Sequence, residues 1–171
     1  MSVPAAGGRS PKIPVSVLVV IHTPDGQMLL LERADRPGFW QSVTGSLDAP
    51  DEVPAVAAAR ELREETGLDV ADGRFYGLDI QNRYEIYAHW RHRYAPGVTH
   101  NTEHVFALAL NGPREVRLAP REHLRSEWLD WQTAAGRCFS PSNAEAIRLL
   151  AQRHGWPGAG GARPDDNTLQ A

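Results

Sequence analysis

Residues Gly45 to Leu68 read GSLDAPDEVPAVAAARELREETGL, and the placing of glycine, proline and charge along this stretch decides the fold. The segment Asp51 to Thr66 has the character of a helix. Pro54 suits its first turn, where a missing N–H has no intrahelical partner to lose. Gly67 suits the left-handed position that ends a helix. Between them Ala55, Ala58, Ala59, Leu62 and Thr66 recur at three- and four-residue spacing, which predicts a narrow buried stripe and a close approach to a sheet. Glu61 and Glu65 stand four apart and so neighbour each other on one face, beside that stripe, with Glu64 further round. Two stacked carboxylates repel. One reading is a solvated acidic face with Arg60 and Arg63 as local partners. The other is a hard cation such as Mg²⁺, which prefers carboxylate oxygens and keeps positions open for water and phosphate.

Outward from the helix, Pro14 to Ile21 (PVSVLVVI) is a β-branched run that predicts a buried strand. Pro24-Asp25-Gly26 supplies turn chemistry, and Gln27 to Glu32 returns as a second strand, together a hairpin. Phe39 to Thr44 reads as a short extended piece. Further strands are expected over Arg74 to Ile80, Tyr84 to Arg91 and His104 to Leu110, with Arg125 to Trp131 a strand or a turn. Asn143 to His154 closes as a helix, Ala146, Ile147 and Leu150 marking its apolar face. The fold class expected is α/β, a central mixed β-sheet covered by helices. One domain over residues 11–154 is expected, flanked by flexible tails at 1–10 and 155–171.

A length of 171 residues suits a single domain with a core of its own. The net charge of -3 offers no basic field for a nucleic-acid backbone, so nucleic acid is not an expected partner. No apolar run reaches the length of a membrane span, and residues 1–10 lack the apolar stretch of a signal peptide. Cys138 is the single cysteine, which favours a reducing compartment and predicts a cytoplasmic location.

The helix segment resembles the signature of the Nudix hydrolases, G-x5-E-x7-R-E-U-x-E-E-x-G-U with U a bulky aliphatic. Gly45, Glu52, Arg60-Glu61-Leu62, Glu64-Glu65 and Gly67-Leu68 carry the match. Six residues instead of five separate Gly45 from Glu52, a departure confined to the loop, where Asp51 stands as an alternative to Glu52. The resemblance implies an α/β/α sandwich and a metal-assisted hydrolase. Glu61 and Glu65 would be the principal Mg²⁺ ligands, with Mn²⁺ a possible substitute, and Glu64 a further ligand or the general base. Glu52 and Arg60 would brace the helix as an ion pair, and Gly45 would form the tight loop. Glu122, from the late Arg121-Glu122-His123 segment, would complete the metal site, with Glu103 as second choice.

Beyond the signature, FWQSVTGS (39–46), RHRYAPGVTHNTEHVFALAL (91–110), EHLRSEWLDW (122–131) and SPSNAEAI (140–147) resemble the branch of this family that hydrolyses dihydroneopterin triphosphate. Of these, RHRYAPGVT is the most discriminating. The resemblance implies cleavage between the α and β phosphates, giving dihydroneopterin monophosphate and diphosphate in folate biosynthesis. Lys12 and Arg33, or the following Arg36, would meet the triphosphate. Thr44 and Gly45 would lie against the ligand, and Ser140 would contact it from the loop before the last helix, Ser142 being the better helix cap. Tyr84, Glu85, Ile86 and Tyr87 would form an alternating strand with one side against a flat ring. Each has a plainer alternative: an exposed lysine or arginine, a buried strand threonine, an aromatic core. Two other functions stay open, a nucleoside triphosphate diphosphatase acting on dATP or an oxidised purine nucleotide, and a catalytically silent nucleotide-binding module. Among the histidines of the second half, His89, His92, His100, His104 and His123 include no pair on a helix with the spacing of a zinc site and read as surface or pocket groups. Monomer and homodimer are equally compatible with the sequence.

Overall fold

A computed structural model describes residues 9–160; residues 1–8 and 161–171, most of the two expected tails, lie outside the described part. Strands β1 (Val15–His22) and β2 (Gln27–Arg33) form the expected hairpin, turned at Gly26 with φ 86. The two strands then diverge. Their register is carried by His22 opposite Met28, and β4 (Val43–Ser46) takes the vacated edge of β1, pairing Ser46 to Val43 with Ser16 to Val19. On its other edge β1 runs parallel to β6 (His100–Ala109), which pairs antiparallel with β5 (Arg74–Glu85). β2 is flanked by β3 (Trp40–Gln41) and by β7 (His123–Asp130). The result is a mixed seven-stranded sheet.

Alternation along β1 feeds both faces of this sheet. Val17, Val19 and Ile21 pack with Ala57, Ala58 and Leu62 of α1 (Pro54–Thr66), whereas Leu18 and Val20 pack with Ala134, Ile147 and Leu150 from α2 (Trp131–Arg137) and α3 (Pro141–His154). The architecture is the expected α/β/α sandwich. Among the described residues no helix is long and apolar enough to cross a membrane.

Several local expectations are corrected. The buried stripe of α1 is Ala57, Ala58, Glu61, Leu62, Glu65 and Thr66, so the two glutamates lie within it, while Ala55 is exposed. Tyr84 to Arg91 is not a strand: β5 ends at Glu85, and Ala88–Arg93 forms a 3-10 turn. Asp130 caps the unforeseen α2 by accepting from the Thr133 N–H at 2.9 Å, a short polar signal hidden at the end of β7. Ser140, not Ser142, occupies the cap position of α3, with Pro141 following it. The expected tail from Gly155 begins with packed chain, because Trp156 is 5% exposed and covers Gly26.

Candidate active site

Gly45 and Glu61 define the site's geometry. On β4, Gly45 faces α1, and any β-carbon there would collide with the Glu61 carboxyl group. The bare backbone at Gly45 thus leaves the space that the Glu61 carboxyl group occupies. Glu65, one turn on, accepts a long 3.3 Å hydrogen bond from the Thr44 N–H. Burial, then the charge of Glu65, pushes the Glu61 carboxyl up to about 8, against the pull of Arg60. Burial likewise raises Glu65, with His123 opposing. Two carboxyls that resist ionisation side by side are a site short of positive charge.

Arg60 supplies part of that charge from the loop side. Its guanidinium donates to Glu52 at 3.1 and 3.2 Å, to Glu61 at 2.9 Å and to the Ser46 carbonyl at 3.1 Å. Glu52 also accepts from the Asp48 N–H at 2.6 Å. The extra loop residue is absorbed here: Asp48 lies 3.1 Å from Arg60, while Asp51 is exposed and Glu52 takes the pairing position. Glu52 and Arg60 thus brace the loop from outside the cavity.

Across from α1, the start of β7 brings Glu122 and His123 to Glu65, their ligand atoms all within 4.8 Å of one another. His123 Nε2 lies 3.4 Å from the Glu65 carboxylate without the alignment of a hydrogen bond, and both buried ring nitrogens lack hydrogen-bond partners among the described residues. Orphaned buried nitrogens beside raised carboxyls fit a divalent cation, with oxygens as the main donors. His123, expected only as a surface or pocket group, does line the cavity, but its place beside the carboxylates is what sequence reasoning missed. Its only signal is adjacency to Glu122, since its burial depends on β7 pairing with β2, where His123 sits opposite Arg33. Glu64 stands apart, 56% exposed and 3.6 Å from Arg60.

A cavity of about 850 Å³ opens over this cluster, ample for a nucleotide-sized ligand. Glu61, Glu65 and Glu122 line one end, with the cations Lys12, Arg33, Arg93 and Arg121 in the same lining. Lys12, exposed as a residue, has an ammonium that desolvation and then Arg93 hold below the usual lysine range. Arg33 is fixed by Asp35 at 2.7 and 2.8 Å and by Gln41 at 3.2 Å, and lies over the rings of Trp90 and Phe139. Arg36 is not in the lining; it bonds His89 and stacks on Trp90. Thr44 lines the cavity, with its hydroxyl donating to the Val17 carbonyl at 2.9 Å.

Tyr84, Glu85, Ile86 and Tyr87 all reach the lining, although as the end of β5 and the entry to the 3-10 turn. Ile86 is buried; Tyr87 is exposed and packs against His89 and Trp90; Glu85 is paired with Arg91. Ser140 lines the cavity and meets the Ser142 hydroxyl at 3.0 Å. Glu103, the second choice for the metal site, lies outside the Glu65 cluster, on the sheet face that carries α3.

A carboxylate helix packed on a glycine that lies in strand β4, not in the tight loop expected, beside a cavity lined by cations, defines a hydrolase of phosphorus anhydrides in the Nudix fold. Residues 12–150 match the NUDIX domain, and the chain belongs to the Nudix family. It is 48% identical over 139 residues to the dihydroneopterin triphosphate diphosphatase of Escherichia coli strain K12, covering 80% of this chain and 91% of that protein. The Haemophilus influenzae protein of the same name is 41% identical over 136 residues, covering 78% and 84%. The solved structure of the E. coli dihydroneopterin triphosphate pyrophosphohydrolase matches with a TM-score of 0.77 at 43% identity, covering 85% of this chain and 99% of that one.

Proposed function

We propose that this enzyme hydrolyses dihydroneopterin triphosphate between the α and β phosphates, releasing dihydroneopterin monophosphate and diphosphate. The observation that carries the reading is the 48% identity to a diphosphatase of that substrate over most of both chains. The geometry supports it: Arg93 and Tyr94, from the discriminating RHRYAPGVT segment, help wall the cavity. Lys12, Arg33 and Arg93 would take the triphosphate oxygens, Arg33 already held flat by its aromatic neighbours. Tyr84 and Ile86 would flank the ring, with Ser140 closing from the α3 side.

Glu61, Glu65 and Glu122 would hold Mg²⁺, with Mn²⁺ as a substitute, and Glu64 would join from the outer flank. When bound, the cation would polarise the phosphoryl group and neutralise the departing diphosphate. Water supplies the oxygen that joins phosphorus as the P–O bond to the leaving group breaks, and its proton passes to a carboxylate of this group. The single Cys138, whose thiol burial pushes up to about 12, suits the reducing cytoplasm.

The test is a pair of initial rates with magnesium, for dihydroneopterin triphosphate and for dATP, scoring diphosphate against orthophosphate. A much larger kcat/KM for the pterin, with diphosphate as product, is the expected result. Equal or faster turnover of dATP would transfer the enzyme to nucleotide house-cleaning. No turnover of either would leave a binding module.

A further inference from the structure

The inner end of the cavity carries a polar group that the hydrolysis does not use. On the face of β6 turned toward α3, alternation places Asn101 and Glu103 in line with the core residues Val105 and Ala107. Both polar side chains are almost fully buried, at 2% and 4% exposure, yet both line the cavity. Asn82, directly across on β5, donates to the Glu103 carboxylate at 3.3 Å. Asn101 donates to the Ser16 hydroxyl at 2.7 Å and to the Tyr84 hydroxyl at 3.0 Å, while its own carbonyl oxygen has no partner among the described residues. No cation pairs with Glu103 among the described residues, and burial raises its carboxyl. Only the neutral donors Ser142 and Asn82 ease that burial, so an acid facing a ligand cavity remains short of donors.

We propose that Glu103, braced by Asn82, is the residue that reads the heterocycle, accepting two parallel hydrogen bonds from the 2-amino group and ring N–H of a 2-amino-4-oxo ring. This inference rests on the pterin reading above and deepens it. Sheet register supplies the placement. Ser46, Ser16 and Glu103 are successive neighbours across β4, β1 and β6, so Glu103 lies two strand spacings, roughly 10 Å, from the strand that abuts the metal carboxylates. That separation suits a two-ring heterocycle joined to its α-phosphate by a three-carbon arm. Two parallel donors on the ring edge match the two oxygens of a carboxylate. The adenine edge puts a ring-nitrogen acceptor beside its amino group and leaves one carboxylate oxygen facing a lone pair. Sites built for a hydrogen-bonding edge discriminate through the group left unpaired.

The test is binding, independent of turnover. Dissociation constants for dihydroneopterin monophosphate and for dAMP are measured by calorimetry on the full chain with magnesium, for the wild type and Glu103→Gln. The glutamine keeps the shape but presents an amide N–H to one ring donor. The expected result is at least a tenfold loss for the pterin and less than about a threefold change for dAMP. Asn82→Ala, which leaves the acid in place but unbraced, is expected to show the same selectivity loss at smaller size, and it carries the test if Glu103→Gln fails to fold. Equal losses for both ligands, or none, would overturn the assignment. Wild-type turnover of the triphosphate is scored alongside: selective binding without turnover would sink the hydrolase reading and leave the ring site standing.

Discussion

Replacing Gly45 by alanine tests the closest approach in the site. The added β-carbon would stand 2.6 Å from Oε2 of Glu61 and nearer still to the rest of that carboxyl group. Ordinary carbon contacts begin near about 3.5 Å, so the carboxylate must retreat by about 1 Å or more. It is the far end of a flexible side chain, so the fold should lose only about 1–2 kcal/mol. Its position relative to Glu65 is another matter, since a misplacement of about 1 Å can cost on the order of 100-fold in rate. Gly45→Ala is therefore expected to lower kcat/KM by about 100-fold and to raise the magnesium concentration for half-maximal rate by about tenfold, with only a small drop in Tm. The assay is diphosphate release across a magnesium titration, run also on Glu61→Ala and on the double variant. If the alanine acts by displacing Glu61, it will cost almost nothing further once Glu61 is gone. Full activity in Gly45→Ala, or independent losses that multiply, would refute the reasoning.

Three further outcomes are expected. Glu65→Gln replaces a carboxyl that burial keeps from ionising with a neutral amide of the same shape, so in chelator it should melt no lower than wild type, while magnesium no longer raises its Tm and kcat/KM falls at least about 100-fold; a wild-type response to magnesium would contradict this. Burial lowers the pKa of His22 from its ordinary 6.5, so below that value the unfolded chain binds the extra proton, and stability is full above about pH 6.5 and lost as pH falls. Comparing Tm at pH 7.5 and 5.5 should show a larger acid loss in wild type than in His22→Asn, and equal losses would count against it. Trp156→Ala should cost about 3–5 kcal/mol in a denaturant titration, because the indole is buried and donates to the Pro24 carbonyl at 2.9 Å; a change under about 1 kcal/mol would mean that the segment after His154 adds little.

The parts of the fold legible in the sequence are those whose periodicity and caps agree. β1 and β2 are β-branched or apolar runs around Asp25-Gly26, and α1 has proline at its start and Gly67, with φ 74, at its end. The offset in the α1 stripe has a physical cause: the helix buries Glu61 and Glu65, which a hydrophobic pattern assigns to water, and exposes Ala55 instead. Alternation in Tyr84-Glu85-Ile86-Tyr87 suggested a continuing strand. The ladder lasts only to Ile86, whose N–H still donates to the Thr99 carbonyl at 2.8 Å; beyond it the Trp90 N–H donates back to the Tyr87 carbonyl at 2.8 Å and winds the chain into the 3-10 segment. Spacing along α1 was enough to nominate its carboxylates. The neighbours of His123 and Glu103 were not legible, because cross-strand register sets them and a single sequence does not display it.

The pairing of β7 with β2 also has a consequence in time. Lys12, Thr44 and the α1 carboxylates leave the ribosome early, yet Glu122 and His123 follow Glu65 by more than fifty positions, and Ser140 comes later still. Chain synthesis at roughly 5–20 residues per second delays this completion by some seconds. Throughout that interval the emerging helix holds two carboxylates turned toward a wall not yet made. On the site assignment proposed above, the nascent chain is expected to be inert toward phosphate anhydrides, with hydrolysis beginning only once β7 and α3 have docked.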